Sequence, residues 1–97
     1  MNESLACELI PQTDEYLLDS LKSLCEDLLS KRVNEENVIK LLILADTYGT
    51  DELKNVCFGF IIKNYFQIEE NEGLSRLPQR LCLEILRYNI LNTKSNF

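Results

Sequence analysis

Residues 13–25 of this chain recur in altered form at residues 45–57, which makes a repeat with a period of 32 positions. The matching positions are apolar or helix-capping in type. The identical pairs are Asp14/Asp46, Tyr16/Tyr48, Asp19/Asp51, Leu21/Leu53, Lys22/Lys54, Cys25/Cys57 and Lys31/Lys63. Repeats of about this length are usually helical hairpins. The repeat therefore predicts two similar hairpins in a scaffold that packs and binds, rather than a reaction centre.

Apolar residues with helical spacing predict the helices of both copies. The second helix is expected from Asp19 to about Lys31, with one apolar face formed by Leu21, Leu24, Cys25, Leu28 and Leu29. Asn34 is expected to cap a third helix that ends at Gly49, a natural left-handed terminator. Thr50 is expected to cap the fourth helix, which runs to about Tyr65.

No segment of the sequence shows the period-two alternation of apolar and polar residues that predicts a strand. We expect a short first helix with Ser4 as its cap, broken or bent by Pro11 after Ile10. The later elements are a weak turn from Asn71 or Glu72 to Leu77, a last helix from Pro78 to about Leu91, and a frayed tail over residues 92–97. The predicted fold is all-α, a small bundle of about five or six helices built from two similar hairpins.

Composition restricts the classes of partner. The chain has 97 residues, which is enough for one small domain, and a net charge of −6. Its ten basic residues are scattered, so we expect no nucleic-acid partner. The start of the chain lacks the pattern of a secretory signal, and the longest dense apolar run, residues 38–45, is too short to span a bilayer. We therefore expect no membrane partner.

The chemistry-bearing residues do not form a catalytic or metal-binding pattern. The four cysteines are far apart in sequence and histidine is absent, so we expect no zinc site, no other metal site, no cofactor and no enzyme activity. Glu69, Glu70 and Glu72 are interpreted as a solvated linker rather than paired acid and base. Cysteines on apolar helix faces are expected to be free thiols, which is typical of a cytoplasmic or nuclear protein.

The third and fourth helices carry more apolar surface than a half-buried helix needs. In the third, Ile43 interrupts the polar strip that Lys40 and Thr47 continue. In the fourth, a second apolar face is formed by Phe58, Ile62, Tyr65 and Phe66. Two interpretations remain open: these helices are central in the bundle, or one of their faces binds another chain or domain.

The spacing of these residues resembles the end of a BTB/POZ domain running into a BACK domain, in the branch with MATH, armadillo or RCC-type partner domains. The resemblance covers about residues 13–91. It is carried by Asp14-x-Tyr16-Leu-Leu-Asp-x-Leu21-Lys22-x-Leu24-Cys25-Glu26-x-Leu28, Val33-x-x-Glu36-Asn37-Val38, Leu41-Leu-x-Leu44-Ala45-Asp46-x-Tyr48 and Leu53-Lys54-x-x-Cys57, followed by Phe60-Ile61 and Asn64.

The resemblance implies a non-catalytic protein-interaction module, part of a substrate adaptor for cullin-RING ubiquitin ligases. In such proteins the POZ core dimerises and holds the main cullin contact, and the helical pair after it, here about residues 34–62, extends that contact. The last BACK helices can self-associate, but Leu86 stands where that branch has an aromatic residue. We take as candidate partner-binding residues Ile39, Ile43, Phe58, Ile62 and Leu86.

The POZ sheet should precede residue 13, where only twelve residues stand, so we expect a partial module that does not bind a cullin tightly alone. The expected division is an extension or remnant helix (1–12), the end of a BTB/POZ-like region (13–33), a partial BACK-like domain (34–91) and a tail (92–97). Two alternatives remain: a stand-alone dimerising or regulatory module, and a short helical-repeat scaffold unrelated to ubiquitin ligases. A repeat array normally needs about three units, and no third copy is visible.

Overall fold

The computed structural model describes residues 2–70 and 73–93, and within these ranges all regular elements are helical. The α-helices are α1 (Glu3–Glu15), α2 (Asp19–Ser30), α3 (Val38–Tyr48), α4 (Asp51–Lys63), α5 (Tyr65–Glu70) and α6 (Gln79–Thr93), with a 3₁₀ turn at Leu74–Arg76. Helices α1 and α2 form one hairpin, α3 and α4 form a second, and α6 packs on α4. The predicted all-α bundle with two hairpins is confirmed.

The sequence repeat is reproduced as a repeated ion pair in the two hairpins. Lys22 Nζ lies 2.9 Å from Asp14 Oδ1 across the first hairpin. Lys54 Nζ lies 3.1 Å from Asp46 Oδ1 across the second. Each lysine sits one turn inside its helix and reaches back to the last turn of the preceding helix, so the same residue spacing joins both pairs of helices.

The turns of the two hairpins share one backbone conformation. Leu17 has a φ of 55° and the equivalent Gly49 has a φ of 70°. The next amide closes the turn in both copies, from Leu18 to the Thr13 carbonyl (2.8 Å) and from Thr50 to the Ala45 carbonyl (3.1 Å). Glycine adopts this left-handed region without penalty, whereas leucine has a Cβ that crowds the following carbonyl.

Replacing Leu17 by glycine is therefore expected to raise the free energy of unfolding by about 1 kcal/mol. Little packing is lost, because the Leu17 side chain is 81% exposed. Thermal denaturation followed by far-UV circular dichroism should show a Tm higher by roughly 4–8 °C. Leu17→Ala, which removes the same side chain but keeps Cβ, should not give this gain. An equal gain from both variants would contradict the strained-turn explanation.

Helix α1 is longer than its sequence pattern predicted. Asn2, not Ser4, is its N-cap, since Asn2 Oδ1 accepts the Leu5 amide at 2.8 Å. The helix continues past Pro11 to Glu15 and crosses the expected boundary between residues 12 and 13. Proline removes one backbone hydrogen bond. The helix persists because its inner residues, Ala6, Ile10 and Thr13, are fully buried.

Helices α2 and α3 differ from prediction in detail. In α2, Cys25 and Leu29 are buried as expected, but Leu24 is 63% exposed, so the inner face is narrower than predicted. Helix α3 begins at Val38 rather than beside Asn34. Asn34 nevertheless acts as a cap for the turn that leads into the helix, because its Oδ1 accepts the amides of Glu36 and Asn37 at 2.8 and 2.9 Å.

The N-terminus of α4 is capped by a different residue from the one predicted. Thr50 occupies the cap position, but its side chain makes no capping hydrogen bond. Glu26 of α2 takes that role, since its Oε2 accepts the amide of Leu53 at 3.1 Å. A carboxylate at this end also opposes the positive pole of the helix dipole. The first hairpin thus caps a helix of the second.

The segment after α4 holds a helix that the sequence pattern missed. Helix α4 ends at Lys63, and Glu69 and Glu70, predicted to lie in a linker, belong to α5. Its single buried side chain, Ile68, is too little for a periodicity signal. The predicted start of the next turn, residues 71–72, lies outside the described residues, as does the tail over 94–97. Helix α6 begins directly after Pro78, as predicted.

Candidate protein-interaction surface

Helix α6 is apolar on two opposite sides. Its inner side is buried, with Leu81 1% and Ile85 9% exposed. The other side carries Leu83, Leu86 and Ile90, which are 58%, 58% and 60% exposed. Spacings of three and four residues place these three side chains on one face of the helix, and we name them the outer stripe. Large apolar side chains aligned at the surface mark an interaction site.

An ion cluster fixes the start of α6 on the second hairpin. Arg80 Nη2 lies 2.6 Å from Asp46 Oδ2, and Arg80 Nη1 lies 2.9 Å from Glu84 Oε2. Lys54 Nζ lies 2.9 Å from Glu84 Oε1 and 3.1 Å from Asp46 Oδ1. We name these four residues the α6 clamp. The Asp46–Lys54 pair of the repeat has thus been extended by two residues of α6.

The α6 clamp perturbs the pKa values of its members. The hydrogen bond from Arg80, together with the contact to Lys54, lowers the pKa of Asp46 from 3.8 to about 2. Burial alone would lower the pKa of Lys54, but hydrogen bonds to Glu84 and Asp46 outweigh it and raise the pKa. Asp46 and Lys54 therefore stay charged at neutral pH. The cluster holds α6 in a fixed orientation, and with it the outer stripe.

An aromatic contact adds to this attachment further along α6. The rings of Phe58 in α4 and Tyr88 in α6 are tilted, with centroids 5.5 Å apart. Lys54 Nζ lies 5.8 Å from the centroid of the Phe58 ring. Ring pairs in this arrangement contribute about 0.5–1.5 kcal/mol beyond their buried area. The clamp and the rings together attach α6 to α3 and α4.

Beside the outer stripe lies an apolar cavity between α4, α5 and α6. Its volume is about 210 Å³, and its walls include Ile61, Ile62, Leu74 and Cys82, with Tyr65 and Leu86 also in contact. Leu86 therefore belongs to both the outer stripe and the cavity. Next to the cavity, Phe66 is 80% exposed, and its ring centroid lies 5.7 Å from that of Tyr65.

Three of the five predicted partner-binding residues reach the surface. Leu86 is 58% and Ile43 39% exposed, while Ile62 is half-buried in the cavity wall. The structure brings Ile62 and Leu86 together at one cavity, whereas Ile43 lies on α3. Leu83, Ile90 and Phe66 complete this apolar surface and were not among the predicted residues. Leu83 and Ile90 could have been identified from the sequence, because the apolar residues of α6 occupy more than one face of the helix.

The other two predicted residues lie inside the chain. Ile39 is 5% and Phe58 4% exposed. The segment after α5 covers Ile39, since a Cβ built on Gly73 would lie 3.3 Å from its side chain. Phe58 is covered by Tyr88 of α6. In this structure both side chains belong to the intramolecular core.

Three of the thiols, those of Cys7, Cys25 and Cys57, are poorly suited to nucleophilic chemistry at neutral pH. Burial raises the pKa of Cys57 to about 12, and it raises the pKa values of Cys7 and Cys25 as well. A protonated thiol is a poor nucleophile and a poor metal ligand. Among residues 2–70 and 73–93, no three metal-ligating side chains cluster. In the same part of the chain, no helix combines the length and apolarity needed to cross a membrane.

Comparison with known proteins points to one family. The model of the BACK family (BTB And C-terminal Kelch) matches residues 38–96. Mouse (Mus musculus) TD and POZ domain-containing protein 1 is 43% identical over 60 residues, covering 62% of this chain and 16% of that protein. BTB/POZ and MATH domain-containing protein 4 of Arabidopsis thaliana is 33% identical over 78 residues, covering 80% of this chain and 17% of that protein.

The match therefore spans less than a fifth of the length of these two curated relatives. The names of both relatives include POZ, and one includes MATH, which agrees with the branch that the residue spacing resembled. The BACK match covers more than half of the residues and includes α3, α4, α5 and α6. The chain belongs to the BACK family.

Proposed function

We propose that this chain is a non-catalytic protein-interaction module that self-associates through the outer stripe of α6. The observation that carries the proposal is the exposure of Leu83, Leu86 and Ile90 on a helix that is already buried on its opposite side. Fully burying a leucine or isoleucine side chain contributes roughly 1.5–3 kcal/mol, so three such side chains on each copy favour association. The α6 clamp supports it by holding the stripe in place.

Leu86→Asp is expected to abolish self-association, because it places a charge at the middle of the outer stripe. Size-exclusion chromatography with light scattering, over at least a tenfold range of concentration, should show the native chain as a dimer and this variant as a monomer of 11.3 kDa. Leu24→Asp is the matched control, since Leu24 is also exposed (63%) but lies on α2. The control should leave the dimer intact. A native chain that stays monomeric throughout would refute self-association.

The finer proposal is that the chain contributes to a substrate adaptor of a cullin-RING ubiquitin ligase. Membership of the BACK family and the POZ-containing relatives support it. In this proposal α3 and α4 extend a cullin contact that the POZ core of a longer protein begins. Ile43 is the residue of α3 best placed for it, because its side chain interrupts the polar strip and is 39% exposed.

Ile43→Asp is expected to change the free energy of unfolding by no more than about 0.5 kcal/mol, as for most surface substitutions. Far-UV circular dichroism and the Tm should match those of the native chain. Titration with the N-terminal domain of a cullin should show weak binding that this variant reduces. Leu24→Asp, which is exposed on α2 outside the proposed contact, serves as control and should leave the binding unchanged. Loss of helicity would instead place Ile43 in the core. Dimerisation without any cullin binding would favour a regulatory module.

A further inference from the structure

The aromatic side chain of Phe66 is not buried by the rest of its own chain. It lies in α5 and is 80% exposed, and its ring meets the edge of the Tyr65 ring. Exposed phenylalanine is costly in water, and the neighbouring cavity is not filled by it. Phe66 is therefore an exposed apolar group in contact with Tyr65, which lines the apolar cavity.

The cavity has the size and lining that a phenyl ring requires. Its volume is about 210 Å³. Engineered cavities of about 150 Å³ lined by leucine, isoleucine and phenylalanine bind benzene. The walls are of the same kind, since Ile61, Ile62 and Leu74 form much of the surface and the thiol of Cys82 is a small hydrophobe. A phenylalanine side chain fits this space by volume and by polarity.

We propose that the chain forms a two-fold symmetric dimer in which Phe66 of each copy enters the cavity of the other. In a two-fold symmetric dimer, the same surface of each copy contacts the other. Phe66 of the first copy can then enter the cavity of the second while Phe66 of the second enters the cavity of the first. The inference rests on the proposed self-association, to which it assigns the partner, a second copy, and the anchoring residue.

The apolar surface available matches what such a dimer needs. A buried phenylalanine contributes about 150 Å² or more. Tyr65, Leu83, Leu86 and Ile90 are each between 43% and 60% exposed and extend the surface around it. Two copies together then bury on the order of 1,000 Å², the low end for a specific interface. Because Leu86 lines the cavity and belongs to the outer stripe, one interface uses both.

Disulfide trapping tests this geometry, because native Cys82 lines the cavity. The Phe66→Cys variant, treated with a mild oxidant such as diamide, should give a covalent dimer on a non-reducing gel. Tryptic mass spectrometry should join the peptide containing position 66 to the peptide containing Cys82. Phe66→Cys combined with Cys82→Ser should lose this product. Leu24→Cys is the surface control, and its covalent yield should not exceed that of the native chain.

A second measurement keeps this inference separate from the proposed function. Phe66→Ala should raise the dimer dissociation constant at least tenfold in sedimentation velocity, and it should remain folded because little of Phe66 is buried. If Phe66→Ala dimerises like the native chain while Leu86→Asp is monomeric, the Phe66 exchange is wrong and stripe-driven association stands. If the native chain is monomeric at all concentrations, both are wrong.

Discussion

Asn37→Ala is expected to lower the free energy of unfolding by about 2–3 kcal/mol, because it removes a buried hydrogen-bonding hub. The Asn37 side chain joins three parts of the chain and the residue is only 7% exposed. Its Oδ1 accepts the amide of Asn34 at 2.8 Å. Its Nδ2 donates to the Arg32 carbonyl and to a Glu3 carboxylate oxygen, both at 2.9 Å. Alanine leaves two partly buried backbone groups without these partners.

Urea denaturation followed by circular dichroism measures this loss. A loss of this size should lower the Tm by roughly 8 °C or more in a chain of this length. Asn34→Ala is the control, since Asn34 is exposed and caps only a surface turn, so its loss should be near 1 kcal/mol. Equal losses from the two variants would show that Asn37 acts only through the local turn, and not by joining α1 to the α2–α3 connection.

The fold could be predicted where its determinants are local in sequence. Gly49 ends α3 because a left-handed residue is needed there, and Pro78 precedes α6 because its fixed φ suits the start of a helix. The 32-residue repeat predicted the two hairpins from the sequence alone. The prediction for α1 was wrong, because the burial of Ile10 and Thr13, which the local sequence does not show, outweighs the cost of Pro11.

Contacts distant in sequence explain the other differences. Glu26 caps α4 from a position 27 residues before Leu53, a relation that no local pattern contains. Phe58 was predicted to bind a partner because its helix has too many apolar residues for one face. The structure covers it with Tyr88, which follows 30 residues later. The sequence thus showed that α4 has more apolar residues than one face needs. The tertiary fold determines which of these residues the chain itself buries.

The same reasoning explains why the exposed apolar residues of the structure differ in part from the candidate residues chosen from the sequence. Leu86 was identified through the family resemblance and is exposed on the outer stripe. Phe66 was assigned to a second face of α4, but α4 ends at Lys63 and Phe66 belongs to α5. A helix of six residues is shorter than the window in which periodicity is measured. Phe66 is therefore exposed on a separate short helix, and the break between α4 and α5 at Asn64 is visible only in the structure.

Asp46→Asn is expected to lower the free energy of unfolding by about 1–2 kcal/mol at pH 7. The carboxylate is largely shielded, with a side chain 17% exposed, and its pKa is lowered from 3.8 to about 2, chiefly by Arg80. One pKa unit corresponds to about 1.4 kcal/mol, and we reduce the total because Arg80 is 61% exposed and solvent screens that contact. Asparagine keeps the shape of the side chain but removes its charge.

The loss of stability in Asp46→Asn is expected to become smaller as the pH falls. A carboxyl group whose pKa is lower in the folded state stabilises the fold above its unfolded pKa, and this stabilisation disappears as the pH falls through the folded pKa. The difference in the free energy of unfolding between the native chain and Asp46→Asn should therefore be constant above about pH 5. It should fall to zero as the pH is lowered from about 4 to about 2. Urea denaturation at a series of pH values measures it.

The repeat provides the matched control for this variant. Asp14 occupies the equivalent position and, within the described part of the chain, pairs with Lys22 alone, with its side chain 50% exposed. Exposed pairs contribute at most about 1 kcal/mol, so Asp14→Asn should cost less than Asp46→Asn. If both variants lose the same stability, the contacts of Asp46 with α6 add nothing. If Asp46→Asn loses more and also weakens dimerisation, the clamp acts by holding α6 and its outer stripe in the orientation that a second copy meets.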